Sequence, residues 1–267
     1  MRILARLLFP AALLLPPAAS PAAPAPAGRV EPRTLGSRRL WIYTPPGYDA
    51  AAAPYDLMLA FDGEEYLEEI PLPRILDGLL AAKKAPPFVA VLIDNGSGAQ
   101  RIAELGNRAS FADSLAEDVL PFVRRGWNVT HDPRRTVVTG SSAGGLAAAF
   151  AAFRHPDLFG VVVSQSGAFW RGAEASNDPP YEWLTVQYAA APRKDLRLFL
   201  EVGAKETRGA LGGAAPSILE ANRRLRDALA RKGYRVTYFE VPDGQHAPEF
   251  WKERLPAALE AAARREP

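Results

Sequence analysis

The chain has 267 residues, with 32 basic and 30 acidic side chains, 25 prolines, 21 glycines and no cysteine. Lacking cysteine, it can form neither a disulfide nor a lipid-anchored thiol, even in an oxidising compartment that permits disulfides. Charge this evenly balanced builds no long-range field to gather nucleic acid or an anionic membrane, so neither is expected as a partner.

At the amino terminus Arg2 and Arg6 lead into the apolar groups Leu7-Leu8-Phe9 and Leu13-Leu14-Leu15, a run too short and too broken by proline to cross a bilayer as a helix. It reads as a secretory signal peptide over residues 1–27. Ala25 and Ala27 offer an A-x-A cleavage site before Gly28, whereas a cut after Ser20 or Ala23 leaves proline directly behind the scissile bond. A periplasmic or secreted protein is therefore expected, with an uncleaved amino-terminal anchor as the alternative. Removing residues 1–27 takes away only Arg2 and Arg6, which leaves 240 residues with 30 basic and 30 acidic side chains. That remainder fits one large α/β domain spanning residues 28–267.

From there on, apolar runs of strand length alternate with helix-length segments. Such alternation builds a mostly parallel sheet covered by helices on both faces. The expected strands are Arg38–Tyr43, Leu57–Phe61, Phe88–Ile93, Thr136–Thr139, Val161–Val163, Leu196–Leu200 and Val236–Val241. Several are continuous apolar runs, as buried parallel strands require. Between them, Ser110 with Asp113 suggests a capping box opening a helix through Leu115, Val119 and Val123, kinked at Pro121. Residues 169–180 mix Gly, Ser, Asn, Asp and Pro and read as a long loop of the kind that covers sites. A further helix opens at Pro216-Ser217, carries Ile218, Ala221, Leu225 and Leu229 on one stripe, and stops at Gly233.

The strongest chemical signal lies in Thr136-Val137-Val138-Thr139-Gly140-Ser141-Ser142-Ala143-Gly144-Gly145, where a β-branched run enters G-x-S-x-G and then an Ala-rich helical stretch. The glycines two before and two after Ser142 relieve crowding in a strained turn that lifts the hydroxyl into solvent, and the helix behind directs its first N–H groups at a developing oxyanion. Ser142 is the candidate nucleophile; Ser141, off centre, should point elsewhere. A bare G-x-S-x-G also occurs as an ordinary glycine-rich turn, and the strand and helix on either side decide between the two.

An activated serine needs an imidazole within reach, and the chain has His131, His155 and His246. His155 ends the helix after the elbow, where a cap explains it, and His131 lies in a polar turn before a strand. His246 follows the last strand in Pro242-Asp243-Gly244-Gln245-His246, which suits the order serine, acid, histidine. The acid belongs on the loop after the preceding strand. Glu206 stands there, with Glu201 inside the strand and Asp243 beside His246 as alternatives. For the oxyanion, Ala143 N–H is one candidate donor. The second should come from Phe61-Asp62-Gly63-Glu64, where Glu64 N–H is favoured over Gly63, although Asp62-Gly63 alone also fits an ordinary turn. No H-E-x-x-H and no paired histidines occur, so no metal is expected, and Gly96-Ser97-Gly98 lacks the Lys-Ser/Thr of a nucleotide loop.

Together these segments resemble the enterochelin-esterase branch of the esterase D-like α/β hydrolases. The likeness runs over residues 38–256 through Tyr43-Thr44-Pro45-Pro46-Gly47-Tyr48, Phe61-Asp62-Gly63, Arg101-Ile102-Ala103-Glu104-Leu105, the elbow, His155-Pro156-Asp157-Leu158-Phe159-Gly160, Ser164-Gln165-Ser166-Gly167-Ala168-Phe169-Trp170, and Gly244-Gln245-His246 with Trp251. It implies the α/β-hydrolase fold and cofactor-free hydrolysis of a small carboxylic ester, of the siderophore (enterobactin) type. It also supports Glu206 as the acid. Arg101 is then either a substrate-binding residue or half of an ion pair with Glu104 or Asp62, and Trp170 and Trp251 either wall a pocket or belong to the core. The longer enterochelin esterases carry an additional amino-terminal domain, and no segment after Gly28 reads as long enough to be one. Feruloyl, acetyl-xylan and small-acyl esterases therefore stand as alternatives, as does a silent siderophore-binding version of the fold.

Overall fold

The computed structural model describes residues 27–264; the signal peptide expected over residues 1–27 lies outside them except for Ala27. The chain order begins β1 (Arg29–Leu35), β2 (Arg38–Thr44), β3 (Asp56–Phe61), α1 (Glu65–Glu68), α2 (Leu72–Ala81), β4 (Phe88–Ile93), α3 (Gly98–Leu105), α4 (Ala109–Ser114) and α5 (Leu120–Gly126). It continues β5 (Thr136–Ser141), α6 (Ala143–Arg154), β6 (Val161–Gln165), α7 (Trp183–Ala190), β7 (Arg197–Gly203), α8 (Ile218–Arg231), β8 (Arg235–Val241) and α9 (Pro248–Ala263). The strands form one eight-stranded sheet in the order β1-β2-β4-β3-β5-β6-β7-β8. β1, β2 and β4 pair antiparallel in turn, and every pair from β4 to β8 is parallel. This is the α/β-hydrolase fold.

Strand alternation sorts the core onto two faces. On one, Leu57, Leu59, Phe61, Val89, Val91 and Val138 pack with Leu146, Phe150, Leu225 and Leu229 of α6 and α8. On the other, Met58, Ala60, Ala90, Leu92 and Val163 pack with Leu72, Leu76, Leu255 and Leu259 of α2 and α9. β3, β4, β5 and β6 are buried at every residue. Burial on both faces is why their sequences are apolar without alternation.

All seven expected strands are present, most of them extended by one to three residues. β1 is an addition. Its sequence, Arg29 to Leu35 with Pro32 inside, carries charge and proline because it is an edge strand that pairs only with β2. The helix expected to open at Ser110 differs more. Ser110 lies inside α4, and Asp113 is drawn away to Arg154 and His155, so no capping box forms. The kink expected at Pro121 is a π-turn over Leu115–Val119, which widens the helix just ahead of the residue that has no N–H to give. The helix expected from Pro216-Ser217 is present as α8; it opens on a capping box between Ser217 and Glu220 and ends before Gly233 at φ +71°. Among the described residues no helix is long and apolar enough to cross a membrane.

Candidate active site

The carboxyl ends of the parallel strands β3, β5, β6, β7 and β8 deliver Gly63, Ser142, Ser166, Glu206 and His246. Ser142 follows β5 at φ +54°, ψ −117°, a conformation that costs a non-glycine residue on the order of 1–3 kcal/mol. Its surroundings hold it there. Ser142 N–H donates to Gln165 carbonyl at 2.9 Å, while its own carbonyl accepts from Ala168 N–H at 2.9 Å and Leu146 N–H at 3.2 Å. The two motif glycines are packed against each other, and a Cβ on Gly140 would fall 2.5 Å from the Gly144 carbonyl carbon. Ser141 is turned away into the core and donates its hydroxyl to Glu65 Oε1 at 3.0 Å. Burial pushes the Glu65 carboxyl above its ordinary range, against the lowering effect of that hydroxyl.

His246 bridges the two other candidates. Its Nε2 lies 2.9 Å from Ser142 Oγ, and its Nδ1 lies 2.6 Å from Glu206 Oε2. A carboxylate only accepts, so the ring proton sits on Nδ1, and Nε2 of the neutral ring faces the serine hydroxyl with its lone pair. The side chain of Glu206 is 2 % exposed and that of His246 39 %. A carboxylate this deep needs compensating donors, and it has them. Besides His246, Ser166 hydroxyl donates to Oε1 at 2.6 Å and Gly203 N–H donates to the same oxygen at 2.8 Å.

Ser166, given no role in the sequence, and Trp251, expected as pocket wall or core and found buried in the core, complete a further layer. Trp251 Nε1 is a pure donor and gives its proton to Ser166 Oγ at 3.0 Å, which commits the serine's own proton to Glu206. The same indole stands edge-on to the His246 ring, with centroids 5.0 Å apart at 88°. Ser166 is itself buried at φ +49°. A buried, strained serine in Ser164-Gln165-Ser166-Gly167 was the available signal, but its partners lie 40 and 85 positions away.

The two loops carrying acid and base are joined. Lys205 N–H donates to Gly244 carbonyl at 3.1 Å and Ala204 N–H to Val241 carbonyl at 2.9 Å. A Cβ on Gly203 would fall 2.3 Å from Gly244 O, so the loops approach closely only because that position is glycine. The alternative acids lie elsewhere. Glu201 contacts Gln165 and Arg254, and Asp243, with its side chain 86 % exposed, pairs with Lys205. His155 bonds Asp113 through Nε2 at 2.8 Å, a structural partner other than the helix carbonyls expected for it, and His131 is exposed.

At the other candidate donor, Gly63 N–H is already given to Ile93 carbonyl at 2.8 Å, which makes Glu64 the next N–H in line. Glu64 is the N-cap of α1, and Ala143 is the first residue of α6. Both N–H groups therefore belong to helix starts, which lack intrahelical acceptors. Arg101 binds Asp62 through Nε and Nη2 at 2.6 and 2.7 Å, the ion-pair arrangement. Asp62 N–H donates to Asn95, Asn95 to Glu104, and Glu104 takes both forks of Arg38. This chain pins the Asp62-Gly63-Glu64 turn. Trp170 is 6 % exposed and belongs to the core, with Arg171 stacked 4.6 Å from its ring centroid.

Two depressions border these groups. One, of about 510 Å³, is lined by Lys205, Glu206, Arg208, Ile218, His246 and Ala247. The other, of about 360 Å³, includes Asp62, Glu64 and Arg101. Among the described residues no cluster of His, Cys, Asp or Glu is arranged to hold a metal ion.

The family model described as "Putative esterase" matches residues 33–262. The iron(III) enterobactin esterase of Dickeya dadantii (strain 3937) is 34% identical over 232 residues, covering 82% of this chain and 50% of that protein. Its counterpart from Escherichia coli (strain K12) is 31% identical over 227 residues, covering 85% and 54%. Among solved structures, the enterobactin esterase of Shigella flexneri in the presence of enterobactin superposes with a TM-score of 0.75 at 30% identity, over 91% of this chain and 60% of that one. A ferulic acid esterase gives 0.71 at 16% identity over 88% and 97%, a likeness of fold alone. The chain spans about half the length of the curated relatives it matches.

Proposed function

We propose that this chain, which belongs to the Esterase family and within it to the enterobactin-esterase-like branch, is an exported serine hydrolase that cleaves its ester through an acyl-enzyme on Ser142. Carboxylic-ester hydrolysis is the chemistry of the family. The observation that carries the residue assignment is the unbroken series Ser142 Oγ, His246 Nε2, His246 Nδ1, Glu206 Oε2, with contacts of 2.9 and 2.6 Å.

In this reading neutral His246 accepts the Ser142 proton as Oγ attacks the ester carbonyl carbon. The oxygen that becomes negative is held by Ala143 and Glu64 N–H, each donor being worth roughly 3 kcal/mol in the transition state. Collapse breaks the bond to the alcohol oxygen, which leaves with the proton from His246, and water attacks the acyl-enzyme with the same histidine as base. Glu206 stays ionised throughout, fixing the tautomer and facing the imidazolium. No cofactor enters these steps.

For the substrate we infer a siderophore ester of the enterobactin class, since the relatives above 30% identity carry that activity in their names. The test is a comparison of hydrolysis rates on enterobactin, feruloylated sugars and short acyl esters. The inference requires enterobactin to be turned over with the highest kcat/KM. Preference for a feruloyl or short-acyl ester contradicts it while leaving the esterase assignment standing. Tight binding without turnover, and without labelling of Ser142 by a fluorophosphonate, removes the enzyme reading altogether.

A further inference from the structure

The backbone nitrogen of Gly28, one residue ahead of β1, lies 3.0 and 3.1 Å from the two carboxylate oxygens of Asp77 on α2. Tyr43 of β2 donates its hydroxyl to Asp77 Oδ1 at 2.7 Å from the other side, and burial holds that phenol well above its ordinary pKa, so it remains a donor. Position 28 is built for this approach. A Cβ there would fall 2.3 Å from the Tyr43 ring and 2.6 Å from the Thr44 carbonyl oxygen, so glycine alone lets the nitrogen come so close. A peptide N–H has one proton to share between two oxygens; an α-ammonium has three, and its charge roughly doubles the strength of each bond to a carboxylate. On β1 Arg29 is paired with Glu31, and among the described residues the Asp77 carboxylate accepts from Gly28 and Tyr43.

We infer that the Ala27–Gly28 bond is a processing site and that Asp77 with Tyr43 is the receptor for the α-ammonium released there. Water adds across the bond under a leader-peptide peptidase, the carboxylate stays on Ala27, and the ammonium appears on Gly28. The cut that frees the protein thus creates the ion pair that ties the first residue of an edge strand to α2, at a place where chain ends otherwise fray. The inference rests on the export reading and not on the ester chemistry, so the two fail separately.

The test starts from the full chain exported by a bacterial host. Intact mass and amino-terminal sequencing should find Gly28 as first residue. Asp77→Asn should then lower the melting temperature of the exported protein by about 3 °C. In a chain produced without export that begins at Ala27, where the Gly28 nitrogen is still a peptide, the same substitution should cost about 1 °C or less. Ester turnover should be unchanged by the substitution in both chains. A mature protein beginning at any other residue overturns the processing site, and equal losses in the two chains overturn the ammonium receptor.

Discussion

At the scale of single residues, the site is a sequence of committed protons. Trp251 gives to Ser166, Ser166 gives to Glu206, and Glu206 holds the Nδ1 proton of His246, so the lone pair toward Ser142 is fixed by a relay whose first link joins residues 85 positions apart in the chain. Ser166→Ala removes one of the donors to a buried carboxylate and strands the indole N–H. Loss of one bond to a charged group predicts a fall in kcat of about 10–100-fold with KM little changed, read in steady-state kinetics. Glu206→Gln replaces an acceptor with a group that can also donate, permitting the wrong histidine tautomer. A kcat lower by about 10³–10⁴-fold with the fold intact by circular dichroism is expected. Glu65 supplies a test of stability. Because burial raises its carboxyl, the folded protein holds that proton more tightly than the unfolded chain does. Stability is therefore favoured at pH below the ordinary carboxylate range and declines as pH rises through the raised value. The melting temperature of Glu65→Gln should accordingly improve relative to the parent protein between pH 4.5 and neutral; a constant difference across that span contradicts the argument.

At the scale of elements, the sheet works by ending adjacent parallel strands at one edge, and glycines set how closely the resulting loops meet. Gly203 is the sharpest case, because the acid loop and the histidine loop touch through it. Gly203→Ala should destabilise the protein by about 2 kcal/mol or more in denaturant titration, and should also lower kcat by shifting Glu206 against His246. Much of this was legible in the sequence. G-x-S-x-G is local, so strand, elbow and helix could be read from ten consecutive residues. The last strand then pointed to His246, and the loop after β7 to Glu206. What could not be read was long-range. Asp113 looked like part of a capping box until Arg154 and His155, 41 and 42 positions on, claimed it. β1 was hidden because an edge strand needs no apolar alternation, and the Arg101–Asp62 pair stayed one of two readings because nothing local decides which carboxylate an arginine will meet.

For the molecule as a whole, the described residues carry the sheet, both helical layers and every group of the candidate site. Yet the chain spans only about half the length of its enterobactin-esterase relatives. The prediction at this scale is that ester cleavage is supported by this half alone, since each group in the proposed steps comes from residues 62–251. The most direct measurement is kcat/KM for the preferred ester with the purified protein and with its Ser142→Ala variant, together with intact-mass detection of fluorophosphonate adducts on both. The account predicts a single adduct on the parent protein and none on the variant, with turnover reduced by at least about 10⁴-fold and an unchanged melting curve. A variant that still hydrolyses the ester at the parent rate would contradict it.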